Sequence, residues 1–255
     1  MKLRIVLLTI LLAAGIQAQE IINGGSAAGS SSSAEADITT GLVHHWAFEA
    51  AGSGDVTTVT DAGSGGNNLT CTNTPQWSST TCAVGSNCID FAKASSEYCA
   101  TATSPTLPTG DAFSYSFWFR VDAADSNVFT INNAAAGSEL QFYIDASPNL
   151  VTGIDGIGNT MTAQGLVTTG YWNHTVMVRE KTILLTYING ELFSTRTATG
   201  AALDFSTCQV LIAVDPDATC VTSLGNYYDG QMDDFRIYSR ALSQVDVQAL
   251  YALGN

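Results

Sequence analysis

Over residues 113–120 large aromatic side chains fall on every second position: Phe113, Tyr115, Phe117 and Phe119 alternate with Ser114, Ser116 and Trp118. A period of two belongs to a strand that buries one face, so the spacing predicts a strand with Trp118 turned to the opposite face. Residues 182–188, the pair Asn189-Gly190 and residues 191–196 predict a β-hairpin, because Asn-Gly supplies the positive φ angles of a type I′ turn. Similar short segments, rich in aromatic and β-branched residues, recur along the chain between Gly, Asn, Asp and Ser clusters. Only the end departs from this rhythm. There Ser243 can cap a helix, Asp246 suits the positive end of its dipole, and Val247, Leu250 and Tyr251 follow at helical spacing. The pattern excludes an α/β fold and predicts an all-β chain with one short surface helix.

The ends of the chain read differently. Lys2 and Arg4, an apolar run from Ile5 to Ile16 and the small residue Ala18 have the form of a secretory signal over residues 1–18, with Gln19 opening the mature chain. That run is too short to span a hydrocarbon core of about 30 Å, and no later stretch approaches the roughly 20 residues a spanning helix needs. Residues 19–40, with their Gly, Ser and Ala and a serine run from Ser30 to Ser33, read as a flexible tether. Residues 41–255 fit one domain, without internal repeat or second linker.

Without Lys2 and Arg4, seven basic side chains face 23 acidic ones, a net charge of −16 that repels nucleic acid and anionic lipid. Six cysteines behind an export signal, Cys71, Cys82, Cys88, Cys99, Cys208 and Cys220, read as up to three disulfides. Of the possible pairings we expect Cys71 with Cys82, Cys88 with Cys99 and Cys208 with Cys220, each bracketing a short turn-rich segment. No Cys-x-x-Cys occurs, which argues against thiolate metal binding.

Four segments, in order, resemble the laminin-G-like, concanavalin A-like jelly-roll domains: Trp46-Ala-Phe48 followed by the Asp/Gly/Asn loop of residues 61–68; the Trp/His strand of residues 171–179; the Asn-Gly hairpin of residues 185–191; and residues 228–243, YDGQMDDFRIYSRALS. The resemblance covers nearly all of residues 41–253. It implies an antiparallel two-sheet jelly-roll sandwich, with rim loops or a concave face open to ligands, and says little about which ligand. In calcium-binding relatives two of these segments lie together and hold one ion, which would make Asp61, Asn67, Asn68, Asp233 and Asp234 its oxygen donors here. Turn formation and strand capping explain the same residues without a metal.

Further candidates come from the residues themselves. Trp77, Tyr227 and Tyr228 sit in or beside loop-like sequence, where an aromatic face could stack on a sugar ring; Trp77 could equally plug the core. Asp204, Asp215 and Asp217 form a second acidic group with ordinary turn composition. His44, His45 and His174 lack any accompanying nucleophile or metalloprotease motif and read as structural or surface residues. Glycosidases of this fold carry closely spaced glutamates, which are absent; Asp233 and Asp234, adjacent on a strand, should point to opposite faces. Asn68-Leu-Thr70 and Asn173-His-Thr175 match the N-glycosylation acceptor. The reading is a secreted, non-catalytic module that binds glycan or another extracellular polymer or protein, with a structural calcium. Its rivals are a self-associating matrix or filament subunit and a hydrolase.

Overall fold

The computed structural model describes residues 35–49, 53–102, 105–108, 110–124, 126–132, 139–147, 149–154, 159–163, 167–197, 209–219 and 222–254. The leader of residues 1–18, most of the tether, Asp204, Cys208 and Cys220 lie outside the described residues. In chain order the strands are β1 (Leu42–Trp46), β2 (Gly54–Asp55), β3 (Thr58–Val59), β4 (Leu69–Thr72), β5 (Gln76–Ser78), β6 (Cys88–Phe91), β7 (Tyr98–Thr101), β8 (Ala112–Val121), β9 (Ser126–Asn132) and β10 (Glu139–Ile144). There follow β11 (Leu150–Ile154), β12 (Asn159–Ala163), β13 (Trp172–Glu180), β14 (Ile183–Ile188), β15 (Glu191–Thr197), β16 (Val210–Ile212), β17 (Asp215–Thr219), β18 (Thr222–Gly225), β19 (Gly230–Tyr238) and the helix α1 (Gln244–Tyr251).

The strands form two antiparallel sheets, as the jelly-roll expectation required. One runs β15-β14-β13-β8-β19-β6-β5-β2, with β1 also on β19; the other runs β12-β11-β10-β9-β16-β7-β4-β3. A separate hairpin pairs β17 with β18. The aromatic alternation of β8 sets the core: Phe113, Tyr115, Phe117 and Phe119 are fully buried between the sheets. Phe117 stacks on Phe235 at 5.1 Å and meets Phe142 edge-on at 5.0 Å. Each such ring contributes about 2–3 kcal/mol through burial.

Trp118 turns to the outer face as predicted, yet it is buried there too. Tyr251 of α1 stacks on it at 5.5 Å and His174 at 5.0 Å. The helix is held over this face by a capping box, in which the Ser243 hydroxyl accepts the Asp246 N–H and the Asp246 carboxylate accepts the Ser243 N–H. Val247 and Leu250 pack with Val176, Val178, Tyr187, Tyr238 and Leu242. No helix among the described residues is long and apolar enough to cross a membrane. The Asn189-Gly190 turn closes β14 onto β15 with φ of 51° and 80°, the type I′ geometry its sequence predicted.

Two sequence expectations need correction. Residues 37–40 are docked on the domain and are not tether: the Asp37 N–H donates to Asp246 Oδ1 at 2.7 Å, the Tyr238 hydroxyl donates to the Ile38 carbonyl at 3.0 Å, and Ile38 packs beside α1. Among the described residues the disulfides are Cys71–Cys99 and Cys82–Cys88. Antiparallel pairing of β4 with β7 sets Cys71 directly opposite Cys99, with Cα atoms 4.0 Å apart, so sheet register decides a pairing that sequence proximity had suggested otherwise.

Strand β19 changes neighbours halfway. Residues 230–232 pair with β6, and residues 235–238 pair with β1. A bulge lies at the change, between Asp233 and Arg236, with Asp234 at φ 47°.

Candidate functional site

The five residues expected to hold calcium all take part in hydrogen bonds within the chain. Both oxygens of Asp61 are committed: Oδ1 accepts the N–H groups of His45 (2.8 Å) and Gly63 (2.8 Å), while Oδ2 accepts the Asn67 N–H (2.8 Å) and meets His44 Nδ1 (2.7 Å). Burial alone would raise the Asp61 pKa, but these bonds, led by His44, outweigh it and hold it low. Asn68 Oδ1 accepts the Asp61 N–H, and Asn67 Nδ2 donates to the Gly65 carbonyl. The loop is therefore an Asp-centred turn that fixes the buried His44. Asp234 holds Arg236 through both carboxylate oxygens at 3.0–3.1 Å and meets His45 Nε2 at 2.8 Å, so the Arg236 guanidinium already balances its charge.

Asp233 is fully buried beneath the loop closed by Cys82–Cys88. Its Oδ2 accepts the Val84 N–H at 2.8 Å, its Oδ1 has no partner, and burial pushes its pKa up to about 8. Glu49 nearby accepts the Ser86 N–H at 2.9 Å. Backbone N–H groups thus meet both carboxylates. The bulge also corrects the expectation that Asp233 and Asp234 face opposite ways. It inserts Asp234 as an extra residue, so that Asp233 and Arg236 share the outer face with Trp118 and Ser116 while Phe235 points into the core.

The aromatic candidates separate. Tyr228 is fully buried, edge-on to Phe91, with its hydroxyl donating to the Gln231 carbonyl, so it cannot offer a ring to a ligand. Tyr227 is half-buried against Tyr98 on the outer face of the eight-stranded sheet. Trp77 is half-buried at the edge of the sandwich, packed on the core and lining a cavity of about 230 Å³ with Phe48, Glu49 and Val59. The side chain of Asp215 accepts from Gln141 and Asn226 in the β17 hairpin region. His174 is buried and neutral, its pKa lowered to about 3 by burial, and it bonds Ser116.

A different constellation lies on the outer face of the nine-stranded sheet. Strand register sets Trp172 opposite Arg120, Arg120 opposite Gln231, Gln231 opposite Asp90, Asp90 opposite Gln76, and Gln76 opposite Asp55. Six adjacent strands thus contribute one side chain each to a single row. With strands about 4.8 Å apart, the row extends roughly 24 Å. Gly230 allows the centre of the row to close, since a Cβ there would stand 2.1 Å from the Arg120 carbonyl at a φ of 147°.

Within the row each group is oriented by its neighbour. Arg120 donates to Gln231 Oε1 at 3.0 Å and to Asp122 at 3.4 Å, Gln231 donates to Ser78 at 3.2 Å, and Gln76 donates to Asp55 at 2.9 Å. The Trp172 indole N–H donates to the Thr81 carbonyl, which fixes a half-exposed ring at one end. Arg120 Nε, a buried donor, has no partner. The Asp90 pKa is raised by burial and by the neighbouring Asp122 charge. Guanidinium, amide and carboxylate groups held side by side can bond adjacent hydroxyls of a ligand, and the indole adds an apolar surface. The sequence reading missed this row. Its one available signal was polar residues at the outward positions of strands whose inward positions are apolar, as with Arg120 one place beyond Phe119 and Gln231 beside Met232.

Comparison with known proteins agrees with the fold. A family model described as concanavalin A-like lectin/glucanases superfamily matches residues 93–248. No curated protein sequence matches the chain. Among solved structures, domain 4 of AbnA, an extracellular arabinanase from Geobacillus stearothermophilus in complex with arabinotriose, superposes with a TM-score of 0.60 at 16% identity, covering 82% of this chain and 98% of that one. The ligand-binding domain of botulinum neurotoxin serotype D, in complex with N-acetylneuraminic acid, gives 0.60 at 12% identity over 83% of this chain, which spans 50% of the toxin domain. A heptameric SAP-like pentraxin from Limulus polyphemus gives 0.51 at 14% identity, over 60% of this chain and 75% of that one.

Proposed function

Since the chain belongs to the concanavalin A-like lectin/glucanases superfamily, we propose that it binds neutral extracellular glycans, without cleaving them, through the polar row on its nine-stranded sheet. The observation that carries this reading is the row itself: Trp172, Arg120, Gln231, Asp90, Gln76 and Asp55 in register, with one guanidinium donor left unpartnered. The Arg120 guanidinium, with a quarter of its side chain exposed, can donate to a ligand hydroxyl. Neutral saccharides suit the site because Asp90, Asp122 and Asp229 crowd the single arginine, and the acidic chain repels uronate or sulfate. Like-fold domains in complex with arabinotriose and N-acetylneuraminic acid support a saccharide over a protein ligand. An extracellular setting accords with the two disulfides.

Recognition in this account needs only side chains of the chain itself, and calcium has no part in it. One observation favours hydrolysis as a second reading: Asp90, in the middle of the row between Gln231 and Gln76, is a carboxyl with a raised pKa. Reducing-sugar release from a binding polysaccharide, abolished by Asp90→Asn, would support that reading. The test of the first reading is retardation of the protein in gels cast with arabinan, β-glucan or galactomannan. Arg120→Ala and Gln76→Ala should each weaken retention, the arginine change by roughly 10- to 100-fold, the equivalent of one charge-assisted hydrogen bond. Unchanged retention in both variants would refute the site.

A further inference from the structure

The opposite face of the sandwich carries a second groove, of about 280 Å³. Its floor comes from the outward residues of β4 and β7, where Thr70 stands opposite Ala100 and Thr72 opposite Tyr98. The small Ala100 leaves a trough between Tyr98 and Gln209. Tyr227 meets Tyr98 at 6.4 Å, so two half-buried rings stand together at one end. At the other end Gln209 is anchored by its Nε2, which donates to the Thr101 carbonyl at 2.6 Å, while its Oε1 is buried and has no partner. The Gln209 amide, hydroxyl groups from Thr70 and Thr72, and the Tyr98 ring form a polar and aromatic lining without any charge. That is the chemistry of a neutral polyhydroxylated ligand.

We infer that this groove is a second saccharide site and that the domain, holding one polysaccharide strand on each outer face, cross-links two strands. The inference rests on the glycan reading of the polar row. The outer faces of two packed sheets point apart, so one strand lying flat on one face does not reach the other. Two independent sites on one rigid body convert binding into bridging. Asn68 lines the same groove and begins an Asn-x-Thr acceptor, so protein made without N-glycosylation is the material to use.

The experiment compares four proteins: the unaltered chain, Arg120→Ala, Thr70→Arg and the double variant. Thr70 is exposed, so arginine there fills the groove without disturbing the core, and melting curves check folding. Each is run through gels cast with arabinan, β-glucan or galactomannan and mixed with the same polymers in solution while light scattering is recorded. We expect each single variant to be retarded at least about tenfold more weakly and to lose the scattering rise, and the double variant to migrate freely. Thr70→Arg that matches the unaltered chain in retardation and scattering overturns the second site while leaving the polar row intact. Arg120→Ala without effect, beside Thr70→Arg that abolishes retardation, overturns the row and the bridging together. A chain retarded by none of the three polymers overturns both sites.

Discussion

Replacing Asp233 by Asn should abolish the loss of stability that the parent shows above about pH 6.5. In the folded chain Asp233 is fully buried, and burial pushes its pKa up to about 8 from the 3.8 of a free aspartate. Between those values the folded protein holds a proton that the unfolded chain has released, so stability falls as pH rises, by about 1.4 kcal/mol per pH unit. His174 acts in the opposite sense. Its folded pKa is lowered to about 3 from 6.5, so over that interval the unfolded chain holds the extra proton and stability rises with pH at a similar slope. From about pH 4 to 6.5 the two slopes oppose each other. Above 6.5 Asp233 acts alone, and the protein loses roughly 2 kcal/mol by pH 8. Asn keeps the shape and the acceptor for the Val84 N–H but cannot ionise. Asp233→Asn should therefore match the parent near pH 4 and exceed it by about 5 kcal/mol at pH 8. Urea unfolding from pH 4 to 9 measures both curves. A difference that stays constant across pH would mean that Asp233 is ionised in the folded state, and would refute the argument.

Other expectations follow from the same structure. A peptide map of unreduced protein should contain Cys71 linked to Cys99 and Cys82 linked to Cys88. Removing the first, which closes 28 residues, should cost about 3.6 kcal/mol, and the second, closing 6, about 2 kcal/mol, read by urea unfolding. Melting in excess calcium and in chelator should coincide, because Asp61 and Asp234 already hold protein donors; a shift of several degrees would contradict that assignment. Ser243→Ala removes one half of the capping box and should lower stability by about 1 kcal/mol in thermal melts, with greater solvent quenching of Trp118 fluorescence as Tyr251 loosens.

Much of the fold is written in local patterns. The alternation in β8, the Asn-Gly turn and the Ser243 cap each depend on a few neighbouring residues, and each forms as its pattern predicts. What was not legible depends on register between distant strands. Cys71 meets Cys99 only because β4 pairs with β7 at that offset, and Tyr228 is buried only because Phe91 stands against it. The polar row is the clearest case. Asp55, Gln76, Asp90, Arg120, Trp172 and Gln231 look like ordinary surface residues one at a time, and only six strands in register bring them together. The bulge at Asp234 likewise breaks the alternation that its sequence suggests, and turns Arg236 outward onto the Asp234 carboxylate.

The central claim is that the polar row is where a saccharide sits. Its most direct test is backbone and side-chain amide chemical-shift mapping by NMR, with arabinotriose and short β-glucan oligosaccharides titrated into the protein. The account predicts shifts at the Trp172 indole, the Arg120 Nε–H and the side-chain amides of Gln231 and Gln76. Saturable shifts confined to other faces, with these signals unmoved, would contradict it.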